Sequence, residues 1–284
     1  MDVPYEIDPW KFRNGRWRTL PRSAAGPAPA TAPARGPLRL LTWNVWFGRH
    51  RQRERGAALL SEIAWRGADV IALQEVTEEL LDLLTDDPVV RENFEITDAD
   101  GSTFERYGVM LLSKIPITRA SILPLPSQMG RRLVVAELAN GLCVATVHLE
   151  STAPCIAERV EQLGIIQRHL ASYPDVILLG DMNFGEDAPD ESAAIDPRFQ
   201  DAWLKNPFHD PGYTVDSHRN AMRQRIHGDY VQRRIDRAFV RSARWQVASV
   251  ELAGVSPLDE QGTFVSDHFG LEIGLEGGPP VESS

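Results

Sequence analysis

Four short runs in this chain carry side chains suited to one kind of chemistry: Thr42-Trp43-Asn44, Leu73-Gln74-Glu75, Gly180-Asp181-Met182-Asn183 and Ser266-Asp267-His268. Each lies beside an apolar, β-like run and offers an amide, a carboxylate or an imidazole there. Oxygen ligands grouped with histidine are the equipment for magnesium-assisted cleavage of a phosphate ester. The runs are widely separated in the chain, so only a fold that gathers several strand ends can assemble them.

Each residue also has a plainer reading. Glu75 follows a buried apolar strand, where a lone carboxylate can simply be a cap. Asp181 and Asn183 follow an apolar run and Gly180, which permits a tight turn. If the chain stays extended, positions i and i+2 face one pocket; the alternative is an Asx-turn. Ser266-Asp267-His268 precedes the last strand. Asp267 suits a metal or water, and His268 suits donation to phosphate, but adjacent polar residues also make loops. His148 ends a strand and opens His148-Leu149-Glu150-Ser151. Asp236 sits inside the apolar strand Arg234 to Phe239, where a carboxylate is costly to bury unpaired. An imidazolium would serve as its partner.

The set excludes several alternatives. There is no Cys/His spacing for structural zinc, no phosphate-binding glycine loop and no nucleophile elbow. Carboxylates with amides prefer a hard cation, Mg²⁺ or Mn²⁺.

The 284 residues carry a formal net charge of −10. That argues against coating nucleic acid by bulk electrostatics but leaves a local basic groove open. Lysine occurs only at positions 11, 114 and 205, so most positive charge is arginine, which grips phosphate in a fork. Codon bias in a GC-rich genome is the plainer explanation. No apolar run approaches the ~20 residues of a membrane span, and the first residues lack the pattern of a secretory signal. Cys143 and Cys155 form no close-spaced motif, so the expectation is no disulfide and a cytoplasmic protein.

The elements that must position these residues can be read in outline. Residues 1–37 look separate: Trp10, Phe12 and Trp17 alternate with basic residues, and 23–37 reads as an Ala/Pro-rich linker. Strands are expected at 38–43, 70–73, 109–112, 133–138, 142–147, 176–179, 235–240, 246–252 and 269–273. Asn140-Gly141 marks a hairpin. Helices are expected at 55–66, from an N-cap at Thr77 to Leu84, and over 156–170. Residues 277–284 read as a disordered tail, leaving 38–276 as the catalytic domain. Many strands with fewer helices suggest an α/β protein with two sheets face to face and helices outside.

In wording and order the four motifs resemble the endonuclease/exonuclease/phosphatase family, which includes deoxyribonuclease I, over about Leu38 to Leu275. Within it the chain is most similar to the tyrosyl-DNA phosphodiesterase 2 branch. That similarity rests on His148-Leu149-Glu150-Ser151 with Ala157-Glu158-Arg159 and Gln162-Leu163, and on Gly212-Tyr213-Thr214 to Asp216 with Arg234-Ile235-Asp236-Arg237. The resemblance implies a four-layer αββα sandwich of two mixed sheets. It implies that Glu75 binds the metal, Asn44 helps to place metal and phosphate, and Asp267 binds water or a second metal. It makes Asp181 the general base, Asn183 a holder of phosphate and water, and His268, paired with Asp236, the donor to the non-bridging oxygen. His148 and Ser151 would contact the phosphate from the far side.

One departure stands out. The branch carries an arginine two residues after the Asn183 position, where this chain has Gly185. Arg223, Arg225, Arg233 and Arg234 are candidates to replace it, or belong to a solvated loop. The expectation is a monomeric Mg²⁺-dependent phosphodiesterase acting on nucleic-acid ends, including 5′-tyrosyl DNA, in DNA repair. The alternative is a phosphatase or phosphodiesterase for a small molecule or lipid head group.

Overall fold

The structure is a computed structural model and describes residues 3–21, 36–208 and 210–278. The chain begins with β1 (Tyr5–Ile7), β2 (Trp10–Arg13) and β3 (Arg16–Thr19). It continues through β4 (Leu38–Asn44), α1 (Gln52–Arg66), β5 (Val70–Val76), α2 (Glu78–Asp86), α3 (Pro88–Asn93), β6 (Glu95–Ile96) and β7 (Gly108–Ser113). Next come β8 (Ile117–Pro124), β9 (Arg132–Leu138), β10 (Cys143–His148), α4 (Ile156–Leu170), β11 (Val176–Asp181), α5 (Pro189–Ala193) and β12 (Gln200–Asp201). A 3₁₀ turn (Ala202–Lys205), β13 (Val215–Asp216), α6 (Ala221–His227), β14 (Gln232–Arg233), β15 (Asp236–Arg241), β16 (Trp245–Ala253) and β17 (Gly270–Gly277) complete it.

Two large mixed sheets form. The first has the order β1-β8-β9-β10-β11-β15-β12, the second β16-β17-β4-β5-β7-β6-β2-β3. Their central strands are buried on both faces, which is why the sequence shows near-continuous apolar runs. In β4, Leu40 enters the cluster between the sheets, with Val144, Ile177 and Leu179. Its neighbour Leu41 enters the outer cluster with Leu59 and Ile63 of α1. On the far side, Leu163, Ile166 and Leu170 of α4 pack on Val135, Ala145 and Leu178. Three apolar layers between four layers of elements give the expected αββα sandwich.

The N-terminal segment does not stand apart. β1 pairs with β8 at one edge of the first sheet, and β2 pairs with β6 at one edge of the second. Residues 5–13 thus tie both sheets, because each short strand finds an unpaired edge to complete. The stretch expected as a linker falls outside the described residues except for Gly36 and Pro37. Of the expected tail, Gly277 ends β17, and residues 279–284 lie outside the description.

Thr77 caps α2, accepting from Leu80 N, and Asn140-Gly141 joins β9 to β10. At Gly180 (φ +142) β11 runs so close to β10 that a Cβ would lie 1.9 Å from Val147 O. No L side chain fits there without moving the two strands apart. We expect Gly180→Ala to lower stability by about 3 kcal/mol or more, read from its urea midpoint against wild type.

Candidate active site

Three neighbouring strands of the first sheet meet at one level, where β10 and β11 end and β15 begins. Register places His148 of β10 beside Asp181 of β11, and Asp181 opposite Asp236 of β15. The second sheet contributes Asn44 of β4, paired in register with Gln74 of β5, and Glu75 beyond it. Glu75 occupies a bulge with φ 61. A left-handed glutamate is strained, and the bulge re-aims its side chain.

The Asn44 side chain joins the sheets. Its Nδ2 donates to Glu75 Oε1 at 3.0 Å and to Asp181 Oδ2 at 2.9 Å. Its Oδ1 accepts from Trp46 N. Asn44, expected among the metal ligands, therefore presents its nitrogen to the carboxylates and orders them. Asp181 Oδ1 accepts from Asn183 N, and Asn183 has φ 56. The chain does not stay extended at this point: the Asx-turn is the correct reading, and it still brings both side chains to one place. Asn183 Nδ2 donates to Leu149 O and Ser151 Oγ.

His268 Nδ1 and Asp236 Oδ2 are 2.7 Å apart, with the carboxylate buried and the imidazole mostly so. Burial lowers the His268 pKa, but Asp236, with Asp267 and Asp181, holds it well above the ordinary value. It is an imidazolium. Thr214 Oγ1 accepts from Ile235 N and Asp236 N and so fixes the carboxylate's backbone. Trp43 Nε1 donates to His268 O, which ties this corner to the core.

His148 has the opposite charge state. Burial pushes its pKa down to about 3, so it is neutral. Arg131 Nη1 lies 3.0 Å from Nδ1. A guanidinium only donates, so Nδ1 accepts and the proton sits on Nε2, 3.3 Å from Asp181 Oδ2.

The donor set fits a hard divalent cation. Glu75 is buried with only neutral donors, Asn44 and Phe47 N, bonded to it. Burial first, then the charge of Asp267, raises its pKa from 4.5 to about 7. A buried carboxylate in this state lacks a cation. Asp181, Asp236 and His268 also bring ligand atoms within 4.8 Å of one another. With His268 held protonated by Asp236, the trio sets one proton donor beside two carboxylates.

The arginines proposed from sequence are engaged elsewhere. Arg223 bonds Ser217 and Asp229. Arg225 bonds the carbonyls of Gln261 and Gly262. Arg234 is buried between Asp201 and Glu186, and Arg233 is exposed on β14. The arginine at the site is Arg131, which sequence reasoning missed. It is buried, donates to Ser151 Oγ at 2.6 Å and bonds no carboxylate among the described residues. Its only sequence signal is two basic residues, Arg131-Arg132, before a strand. A second missed residue, Arg55, donates to the carbonyls of Val45, Trp46, Gly48, His50 and Val265. It fixes the loops flanking Glu75 and Asp267. The paired motif downstream of His148 acts similarly. Arg159 donates to Glu150 O and Thr152 O, and Gln162 accepts from Glu150 N.

Beside His148 opens a cleft of about 400 Å³ lined by Phe104, Tyr107, Gln128, Met129, Arg131 and Arg132, among others. Tyr107 stacks on exposed Phe47 at 4.8 Å, and Arg131 lies 5.9 Å from its ring centroid. Asp267 Oδ2 meets His227 Nε2 at 3.0 Å.

The state of Glu75 sets a pH dependence. Between pH 4.5 and about 7 the folded metal-free protein holds a proton that the unfolded chain releases. Stability therefore falls as pH rises through that window, by about 3 kcal/mol at its top. We expect metal-free Glu75→Gln to be more stable than wild type at alkaline pH and equal to it in acid. Mg²⁺ should reverse the order. Urea titrations across pH, with EDTA or Mg²⁺, check this.

Comparison with known proteins agrees with the geometry. The sequence model of the Endonuclease/Exonuclease/phosphatase family matches residues 41–268. The chain is 33% identical over 248 residues to tyrosyl-DNA phosphodiesterase 2 of Xenopus tropicalis, covering 81% of this chain and 64% of that protein. It is 30% identical over 251 residues to the Homo sapiens protein of that name, covering 84% and 67%. The chain thus spans about two thirds of the length of these relatives. A crystal structure of D. rerio TDP2 complexed with single strand DNA product shares the fold, with a TM-score of 0.75 at 23% identity, covering 84% of this chain and 99% of that one. This chain belongs to the endonuclease/exonuclease/phosphatase family.

Proposed function

We propose that the protein is a divalent-metal-dependent phosphodiesterase acting at nucleic-acid ends, with 5′-phosphotyrosyl DNA as its preferred substrate and DNA repair as its setting. One observation carries the reading: a single amide, Asn44, holds a cation-seeking carboxylate and a base-like carboxylate side by side. The relatives named tyrosyl-DNA phosphodiesterase 2 and the neighbour solved with single-stranded DNA support the choice of substrate. Among the described residues no helix is long and apolar enough to cross a membrane. Both cysteines are free, which fits a reducing cytoplasm.

Magnesium or manganese, held by Glu75 with Asp267 alongside, would polarise the phosphoryl oxygens and offset the charge gathering on them. Asp181 takes a proton from the attacking water as that oxygen bonds to phosphorus. The ester P–O bond breaks, and the leaving oxygen departs as an oxyanion. A phenolate is a good leaving group, so a tyrosyl ester needs no strong general acid. His268 keeps Nδ1 on Asp236, and its Nε2–H donates to a non-bridging oxygen, where negative charge builds. Both N–H groups of Asn183 are engaged, which leaves its Oδ1 to accept from the water. Arg131 and Ser151 grip the phosphate and stand in for the arginine absent at Gly185. A buried guanidinium without a carboxylate is costly, and a phosphate would relieve it. The cleft beside Tyr107 and Arg131 receives the aromatic leaving group.

The test is hydrolysis of a 5′-phosphotyrosyl oligonucleotide in Mg²⁺, beside an unmodified duplex and a small phosphate ester. We expect turnover of the tyrosyl end above the others. Preference for the small ester would favour the head-group or small-molecule reading that a net charge of −10 invites. Asp181→Asn should lower kcat on the order of 10²-fold or more with little change in KM.

A further inference from the structure

The hairpin of β2 and β3 sorts its side chains by chemistry. Trp10, Phe12 and Trp17 lie on the face toward the helices. Trp10 and Trp17 pack on the outer cluster there, Trp17 Nε1 donates to Thr85 O, and Arg91 sits 4.7 Å from the Phe12 ring centroid. On the other face Lys11 stands opposite Arg18, and Arg13 opposite Arg16. All four cations therefore share one side. Arg13, Arg16 and Arg18 are exposed, and none of the four has an ion pair or side-chain hydrogen bond among the described residues. Like charges directly opposite one another destabilise an antiparallel pair. An acidic chain gains no solubility from such a group, so the arrangement fits a ligand that supplies the missing anions.

We infer that this face binds the phosphate backbone of a nucleic-acid strand at a distance from the cut. The inference rests on the nucleic-acid reading of the active site. Alternate positions on a strand are about 7 Å apart, so the two rows present a ladder of forks to successive phosphates. Register gives the location. Lys11 is level with Glu95, Ser113 and Val70 in turn. β2 then runs away from the active-site end, so Arg13 lies two positions beyond Val70, on the side opposite Glu75. The offset along the strands is on the order of 20 Å. The hairpin does not cover the cleft; it would hold a flanking length of a long substrate.

The probes are fluorescent single strands of about 6 and about 30 nucleotides, titrated at several salt concentrations against full-length Asp181→Asn protein in Mg²⁺. The comparison protein adds Lys11→Gln, Arg13→Gln, Arg16→Gln and Arg18→Gln. For the long strand we expect affinity to fall on the order of tenfold or more, and the log–log salt slope to shrink by roughly 2 to 3. The short strand should bind both proteins alike. Arg13→Gln/Arg16→Gln alone, beside the turn, should give about half the change in slope; it serves if the fourfold variant misfolds. Unchanged affinity and slope for the long strand overturn the inference. So does displacement of nothing by nucleic acid while polyglutamate binds the hairpin, which would make the partner an acidic protein. Cleavage of tyrosyl ends by wild type with an unchanged slope sinks the hairpin site alone. A changed slope in a protein that cleaves no end sinks the active-site reading alone.

Discussion

The site depends on a neutral amide placed between two buried carboxylates. Glu75 and Asp181 come from different sheets, and Asn44 donates one N–H to each. A cation from the protein in that position would satisfy both groups and leave no call for a metal. An amide orders them but brings no charge, so burial and the neighbouring Asp267 still hold the Glu75 pKa up. The geometry can persist only if the two sheets keep their relative position. That is the work of the apolar layer between them and of Gln74, which reaches across from β5 to Thr146 of β10.

Charge is then sorted around this pair. Two histidines of similar burial take opposite states because their neighbours differ. His268 faces three carboxylates and is held protonated. His148, fully buried with Arg131 at its other nitrogen, stays neutral. One becomes a donor to developing negative charge and the other a fixed polar wall beside Asp181. The chain is acidic overall, yet Arg131, buried with no carboxylate bonded to it among the described residues, lies where a phosphate would arrive. Net charge describes solubility and long-range field; the local donor set describes the chemistry.

Much of this was legible in the sequence, for physical reasons. Strands buried on both faces show as apolar runs, and the four motifs stand at their ends, so the sandwich and the residues Asn44, Glu75, Asp181, Asp236 and His268 could be named together. Asp236 was readable because a carboxylate in an apolar strand demands a partner. What stayed hidden depends on contacts between distant segments. β8 alternates polar and apolar residues beside an edge, and β1 to β3 are short strands that exist by completing sheet edges. Arg131 differs from its neighbour Arg132 only in what surrounds it once folded. Arg234 was misplaced for the converse reason: it precedes Asp236 in the chain, yet Asp201 draws it away from the site.

The most direct test of the central claim is Asn44→Leu, which keeps the branching at Cγ and removes both donors. Turnover of a 5′-phosphotyrosyl oligonucleotide would be followed across Mg²⁺ concentrations, with a thermal melt to confirm folding. The bridging role requires a folded protein in which kcat falls by orders of magnitude and the Mg²⁺ requirement rises together, because the base and the metal carboxylate lose the same tether. A folded variant that turns over near the wild-type rate at the wild-type Mg²⁺ requirement would contradict it.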